Sequence, residues 1–260
     1  MPIQEYKSLK FYKFPNFNAD LRHGIFSRKG GVSPKPWDSL NIGGTVGDEI
    51  ERVFNNRNRI MDALDLKESS IYDCWQVHGN RVIKVDLPRD QANPYEKGDA
   101  LITNNPDVTL LMRFADCTPI ILHDPVCNVI GLVHSGWVGT IKKIIKYAIE
   151  DMKKYYDCLP ENITAGIGPS IGPDHYEVGA DVVKKVHGVF KENAKYLIKV
   201  TNGKYFFDLW EANKKLLIDC GVDNIEVSGI CTACHVEDWY SHRAENGKTG
   251  RFGAVISLKG

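Results

Sequence analysis

The chain has 260 residues, of which 43% are apolar, 25% charged and 10% aromatic. This composition is typical of a globular protein and excludes disordered, collagen-like and low-complexity classes. Lys plus Arg and Asp plus Glu both total 33, and a net charge of zero argues against a nucleic-acid or membrane-surface binder, which needs excess basic residues.

The cysteine content and the amino-terminal residues favour a reducing cytoplasm. There are seven cysteines, an odd number, in a chain long enough to build a core without disulfides. Residues 1–14 lack the apolar run of a secretory signal. The uncharged stretch 126–141 contains three glycines and a histidine and is shorter than the about 20 apolar residues of a membrane-spanning helix.

The first third of the chain contains few regular patterns. Segment 21–47 is rich in Gly, Pro, Ser and Asn, which predicts a loop. Apolar side chains at near-helical spacing predict a helix over 48–66. A strand-like run follows at 71–85 and is interrupted at Gly79-Asn80.

The remaining elements alternate between strands and helices. Helices are predicted over 138–156, 179–198 and 208–220, and apolar, β-branched runs predict strands at 99–104, 108–116, 118–124, 128–134, 163–167, 225–230 and 253–258. This order predicts an α/β (α+β) fold, with mixed β-sheets flanked by helices in a single domain over residues 1–260.

Three potential metal ligands, His78, Cys117 and His134, each follow an apolar, strand-like run. Since the ends of adjacent strands converge in space, these residues are candidates to meet. Two imidazoles and one thiolate form a three-ligand zinc set with an open fourth position. The alternative is that both histidines are polar caps at strand ends and that Cys117 is a buried small apolar residue.

The same residues also fit a Cys–His hydrolase. Cys117 would be the nucleophile and His134 or His78 its base, with Asp116 or Asp99 orienting the imidazole. The two interpretations conflict, because a metal-bound thiolate is a poor free nucleophile.

A carboxy-terminal run, Cys231-Thr232-Ala233-Cys234-His235, matches the pattern of covalent haem attachment. The absence of an export signal argues against haem. With His242 the run also offers a Cys2His2 zinc set, but the spacing between the histidines exceeds the usual three to five residues.

Two glycine-rich segments, 27–33 and 166–173, expose backbone amides and are candidate anion-binding nests. Neither is a Walker A loop. Arg28 in the first segment, together with Arg57, Arg243 and Arg251, is a candidate phosphate ligand, because guanidinium groups match phosphate oxygens.

The motifs taken together resemble one family. Their order is SRKGGVS, SLNIGGTVGD, NNR, QVHGN, GDALIT, ADCTPIILHDP, GLVHSGWVGT, GPSIGPDHYEVG and CTACHVEDWYSHRAENGKTGRFGAVISL. In content and order these motifs resemble those of the YfiH/laccase-domain family, which is also called the multicopper polyphenol oxidoreductase or purine nucleoside phosphorylase family. The resemblance runs from about residue 22 to 257, nearly the whole chain. The family usually has one cysteine in the last motif, so Cys234 and His235 are departures.

The resemblance implies a YfiH-like fold and one zinc ion held by His78, Cys117 and His134. It implies phosphorolysis of adenosine, inosine, guanosine and methylthioadenosine, with adenosine deaminase activity. Purine nucleosides and phosphate are therefore the expected partners. Arg57 matches a family arginine near the substrate, and Asp99 is a candidate for proton transfer.

Other functions remain open. The older family name implies a copper-dependent polyphenol oxidase, but the chain lacks the His-Cys-His run of blue copper oxidases. A nucleoside-binding module without catalytic activity is a third possibility. The sequence leaves a monomer and a homodimer as equal alternatives.

Overall fold

The computed structural model describes residues 2–17, 21–90 and 92–259. The strands are β1 (Ile3–Tyr6), β2 (Leu9–Tyr12), β3 (Leu21–Phe26), β4 (Ile71–Tyr72), β5 (Val82–Lys84), β6 (Ala100–Thr103), β7 (Thr109–Phe114), β8 (Thr118–Asp124), β9 (Val129–Ser135), β10 (Thr164–Ile167), β11 (Glu177–Val178), β12 (Ile198–Thr201), β13 (Lys204–Phe207), β14 (Asn224–Val227) and β15 (Phe252–Leu258). The α-helices are α1 (Ile50–Ala63), α2 (Trp137–Ile141), α3 (Ile144–Tyr156), α4 (Ala180–Phe190), α5 (Ala194–Leu197) and α6 (Leu209–Asp219).

In the described part of the chain the strands form three sheets. The first has the order β1-β2-β3-β15-β7-β4, the second β14-β10-β8-β9-β6-β5, and the small third β11-β13-β12. Both large sheets are mixed: β4 pairs parallel with β7, and β5 with β6, whereas β15 is antiparallel to both of its neighbours. The predicted α/β (α+β) class with mixed sheets and flanking helices is confirmed.

The two large sheets pack against each other. Because successive side chains of a strand point to opposite faces, alternate residues of each strand enter the interface between the sheets. Leu110 and Met112 of β7 join Ile121 and Leu132 of the second sheet in one buried cluster. The intervening Leu111 faces the other way and packs with residues of α1. Helices α3, α4 and α6 cover the outer face of the second sheet. The result is a helix, sheet, sheet, helix arrangement.

Several predicted boundaries were wrong. Segment 21–47 begins with strand β3, which lies next to β15, so the loop prediction fails for Leu21–Phe26. The predicted helix 138–156 is divided at Lys143, whose φ of 58° is left-handed. The predicted helix 179–198 ends at Phe190 and resumes only over Ala194–Leu197. Of the strand predicted over 71–85, only β4 and β5 are observed, and the residues between them form a loop.

No helix among the described residues combines the length and apolarity needed to cross a membrane.

Candidate metal centre and pocket

The three predicted metal ligands come together where the turn between β7 and β8, the end of β9 and the loop between β4 and β5 meet. Cys117 lies in the turn between β7 and β8, and His134 is in β9. The register places Thr118 opposite Ser135, which brings Cys117 beside the end of β9. His78 lies in the loop between β4 and β5 with a φ of 56°. The ligand atoms of the three residues lie within 4.8 Å of one another.

Asp99, which is fully buried, holds the imidazole of His134 and the backbone at His78. Its Oδ1 accepts hydrogen bonds from Nδ1 of His134 at 2.8 Å and from the backbone N–H of His78 at 2.9 Å, and Oδ2 accepts from the N–H of Gly79 at 2.6 Å. With Nδ1 of His134 held by Asp99, Nε2 is the nitrogen left for a metal. Asp99 is therefore a positioning residue rather than a group lining the cavity.

Electrostatics favour a thiolate at Cys117. Burial alone would raise the pKa of this thiol, but the charges and hydrogen bonds of His134 and His78 outweigh burial and lower the pKa to about 6. Burial would lower the pKa of His134, but Cys117 and Asp99 raise it to about 9. An ionised thiol is the form that binds a metal.

The donor set and the space around it fit a metal with two imidazole ligands and one thiolate ligand. A Cβ atom at Gly136 would lie 2.5 Å from Sγ of Cys117. Only glycine at this position leaves the thiol in place. Three protein donors with a free fourth position are characteristic of catalytic zinc.

All three donors line one cavity of about 560 Å³. The cavity also contains four arginines, namely Arg57, Arg113, Arg243 and Arg251, and the aromatic residues Phe54, Trp75, Tyr95, Trp137 and Tyr176. Metal donors, cationic side chains and aromatic faces therefore share one space.

The arginines on one side are held by Asp73, which is almost completely buried. Asp73 Oδ2 lies 3.4 Å from Nη1 of Arg57 and 2.9 Å from Nη1 of Arg113, and Oδ1 lies 2.8 Å from Nε of Arg89. One carboxylate thus faces three guanidinium groups. Nε of Arg57 has no hydrogen-bond partner among the described residues. The cluster of Asp73 with its three arginines therefore keeps a net positive charge, and Nε of Arg57 remains a free donor. Arg113 was not among the candidates predicted from the sequence.

Asp116 joins the metal loop to the carboxy-terminal segment. Its Oδ1 accepts a hydrogen bond from Oγ1 of Thr232 at 2.7 Å, and Oδ2 accepts from the backbone N–H of Arg243 at 2.6 Å. The Arg243 guanidinium lies 5.2 Å from the centre of the Tyr176 ring and donates to the carbonyl of Glu177 at 2.7 Å. Asp116 therefore positions Arg243 and does not orient a histidine.

Arg28 does not line the cavity, in contrast to the expectation. Its guanidinium donates to the carbonyls of Asp38 and Val236, both at 2.7 Å, and to Oε1 of Glu245 at 2.9 Å. These bonds join distant segments of the chain and occupy the donors that a phosphate would need. The structure gives no support to Arg28 as a phosphate ligand.

The glycine-rich segments serve packing. A Cβ atom at Gly166 would lie 2.7 Å from the ring of Phe14, and one at Gly30 would lie 2.4 Å from the carbonyl oxygen of Ser8.

In the carboxy-terminal run, His235 is 3.4 Å from Glu237, and His242 lines the cavity. Neither histidine belongs to the group of potential metal ligands around Cys231 and Cys234.

Comparison with known proteins gives a consistent result. A family model described as multi-copper polyphenol oxidoreductase laccase matches residues 22–259. Purine nucleoside phosphorylase YlmD of Bacillus subtilis is 34% identical over 250 residues, covering 93% of this chain and 90% of the relative. A purine nucleoside phosphorylase of Deinococcus radiodurans is 36% identical over 241 residues, with coverage of 93% and 90%.

Solved structures show the same fold. YlmD from Geobacillus stearothermophilus has a TM-score of 0.92 at 34% identity, covering 99% of this chain and 98% of that one. The hypothetical protein YfiH from Bacillus licheniformis has a TM-score of 0.89 at 32% identity, covering 99% of both chains.

The fold is mixed α/β, and three potential metal ligands share one pocket with four arginines. The chain belongs to the multi-copper polyphenol oxidoreductase (laccase-domain) family, whose relatives include the YfiH and YlmD proteins.

Proposed function

We propose that this protein is a zinc-dependent purine nucleoside phosphorylase that acts on adenosine, inosine, guanosine and methylthioadenosine, with adenosine deaminase activity. The observation that carries the proposal is that His78, Cys117 and His134 line the same cavity as four arginines. The names of the relatives from Bacillus subtilis and Deinococcus radiodurans support it independently.

His78, Cys117 and His134 would hold the zinc ion. Zinc bound there would supply a Lewis acid next to the substrate. Asp99 fixes the orientation of His134 and of the His78 backbone, so the ligand geometry is formed before substrate binds. In this proposal Cys117 acts as a metal ligand rather than as a nucleophile.

Phosphorolysis joins a phosphate oxygen to C1′ of the ribose and breaks the bond from C1′ to the purine nitrogen. The purine leaves with the electron pair, takes up a proton, and ribose 1-phosphate remains. Arg57, Arg113, Arg243 and Arg251 are the cationic side chains of the cavity. We assign them to binding the phosphate dianion, because guanidinium groups pair with phosphate oxygens in two-point contacts.

The aromatic side chains fit the purine. Phe54 and Trp75 line the cavity and remain 40% and 46% exposed, whereas one face of the Tyr95 ring is covered by the Arg89 guanidinium at 4.0 Å. Flat apolar faces that stay open in a cavity suit stacking with a heteroaromatic base. Stacking discriminates poorly between purines, which agrees with a substrate range that includes adenosine, inosine and guanosine.

Deamination would use the same cavity without phosphate. Water adds at C6 of adenosine and ammonia leaves, so the products are inosine and ammonia. Phosphorolysis of adenosine instead yields adenine and ribose 1-phosphate. The two reactions are therefore separable by their products.

The test is chromatographic product analysis on protein of known zinc content, with adenosine and inosine, with and without phosphate. We expect hypoxanthine from inosine only when phosphate is present. In Cys117→Ala we expect loss of activity together with loss of the one zinc ion held by His78, Cys117 and His134. Cys220→Ala, a partly buried cysteine outside the cavity, is the matched control and should retain both. Full activity in Cys117→Ala that has lost this zinc ion would refute the proposal.

Copper-dependent phenol oxidation is the second candidate, favoured by the family description and by a His2Cys donor set that also suits copper. Metal analysis of protein purified without added copper distinguishes the two. Copper content together with phenol oxidation, and no phosphorolysis, would favour the oxidase.

A Cys–His hydrolase is favoured by the contacts between Asp99, His134 and Cys117. It requires a thiol free of metal. Alkylation of Cys117 that is equally fast with and without zinc, with hydrolysis lost on alkylation, would support this alternative.

A further inference from the structure

A second group of potential metal ligands lies at the carboxy-terminal motif. Asp174, His175, Cys231 and Cys234 offer one carboxylate oxygen, one imidazole nitrogen and two sulfurs, all within 4.8 Å of one another. We propose that these four residues bind a structural zinc ion that clamps one wall of the cavity. The argument for this ion does not depend on the nucleoside chemistry proposed above.

The distances between donor atoms match a tetrahedral ion. Nδ1 of His175 lies 3.5 Å from Sγ of Cys234, 3.9 Å from Sγ of Cys231 and 3.1 Å from Oδ2 of Asp174. Sγ of Cys234 lies 3.4 Å from the same Oδ2. For Zn–S of about 2.3 Å and Zn–N or Zn–O of about 2.0 Å, tetrahedral angles place such donors about 3.3 to 3.8 Å apart, so each of these distances needs a shift of only about 0.4 Å or less.

The donor count predicts a structural role. Catalytic zinc keeps a position open for water or substrate, whereas four protein donors close the coordination shell. The side chains of His175 and Asp174 are 46% and 58% exposed, so an ion can enter from solvent without unfolding of the chain.

The surroundings of Cys231 support a bound thiolate. The backbone N–H of Gly172 donates to Sγ of Cys231 at 3.1 Å, and such hydrogen bonds orient metal ligands. A Cβ atom at position 172 would lie 2.8 Å from Oδ1 of Asp174 and 3.1 Å from Cβ of Cys231. Glycine is therefore required for the turn to bring Asp174 and His175 to the cysteines.

The ion would join two segments that line the cavity. Tyr176, which follows His175 directly, lines the cavity and lies under the Arg243 guanidinium. The segment that begins at Cys231 continues to His242 and Arg243, both in the cavity wall. A clamp between residues 174–175 and 231–234 thus fixes the distance between Tyr176 and Arg243.

The arrangement also explains the resemblance to a haem-attachment motif. The third donor of the cluster is His175, which is 56 residues from Cys231, and not the adjacent His235. His235 faces Glu237 at 3.4 Å. His235→Ala is therefore a matched control that changes the motif but leaves the cluster intact.

The experiment is the zinc content of the full chain, purified under reducing conditions and measured by mass spectrometry. We expect about two zinc ions per chain in the wild type and in His235→Ala, and about one in Cys234→Ser and in Cys117→Ala. The double variant should hold none. Cobalt substitution of Cys117→Ala should give thiolate-to-cobalt absorption that disappears when Cys234→Ser is added.

The outcomes are independent of catalysis. A zinc content that is equal in Cys234→Ser and the wild type would overturn the proposal. A native mass lower by two hydrogens, with Cys231 and Cys234 both protected from alkylation, would overturn it in favour of a disulfide. Failure of phosphorolysis with two zinc ions bound would refute the proposed function and leave the second site standing.

Discussion

The carboxylate of Asp99 accepts a hydrogen bond from Nδ1 of His134 at 2.8 Å, inside the protein and away from solvent. Burial alone would raise the pKa of Asp99, but His134 and the backbone N–H groups of residues 78 and 79 lower it overall, so the carboxylate stays ionised and accepts. The bond fixes the tautomer of the imidazole and leaves Nε2 to bind a metal.

Asp99→Asn is therefore expected to weaken zinc binding by about 10- to 100-fold, the usual effect of removing an outer partner of a metal-bound histidine. Titration with a chromophoric chelator measures the change. Asp107→Asn, at an exposed position in the turn before β7, is the control and should bind zinc like the wild type. Unchanged affinity in Asp99→Asn would contradict the assigned role.

Gly136→Ala should remove the metal while the fold persists. The added methyl group would lie 2.5 Å from Sγ of Cys117 and 3.6 Å from Cδ2 of His78, so the thiol must move away from the other donors. We expect zinc content to fall to that of Cys117→Ala, with an unchanged circular dichroism spectrum. Gly188→Ala meets no atom within 4 Å and, lying in α4, should gain about 0.5–1 kcal/mol in stability with full zinc content.

The meeting of Cys117 with His134 could be predicted from the sequence, because each adjoins an apolar strand and these strands, β8 and β9, pair with each other. His78 lies in the loop after β4, so the strand pattern alone does not explain its place beside them. The structural role of Arg28 could not be predicted from the sequence. Its neighbouring glycines and serines resemble an anion-binding site, whereas its partner Glu245 lies 217 residues away in the chain. Arg113 and the contact of His175 with Cys231 were missed for the same reason, because their partners are distant in the sequence. Strand β3 was missed because the glycine- and proline-rich residues that follow it dominate the local composition.

Arg57→Gln is expected to raise the KM for phosphate by about 10- to 100-fold, since a hydrogen bond to a charged group contributes roughly 1.5–3 kcal/mol. The KM for inosine should change much less, because the base is assigned to the aromatic side chains. Steady-state kinetics with each substrate varied in turn gives both values. Arg52→Gln, on the same helix and paired with Glu49 at 3.1 Å, is the control. An equal rise in both KM values would mean that Arg57 supports the cavity rather than binding phosphate.

Stability should decrease in acid because of His23, a fully buried residue of β3. Its Nε2 accepts a hydrogen bond from the backbone N–H of Phe14 at 3.1 Å, and Nδ1 has no hydrogen-bond partner in the described residues. Burial, together with the charge of Lys13, lowers the pKa of His23 to about 3. The unfolded chain titrates near about 6.5. Above that pH both states are neutral, and below it only the unfolded chain gains the proton.

The free energy of unfolding should therefore fall as pH decreases from about 6.5 towards 3, with a loss of about 2 kcal/mol from this residue by pH 5. Urea unfolding at pH 7, 6 and 5 measures the slope. His23→Gln keeps an acceptor for Phe14 but cannot titrate, so its curve should be flatter than that of the wild type by this amount. His187→Gln removes an exposed histidine and should leave the wild-type slope. Parallel curves for His23→Gln and the wild type would show that His23 takes up its proton in the folded state as readily as in the unfolded chain.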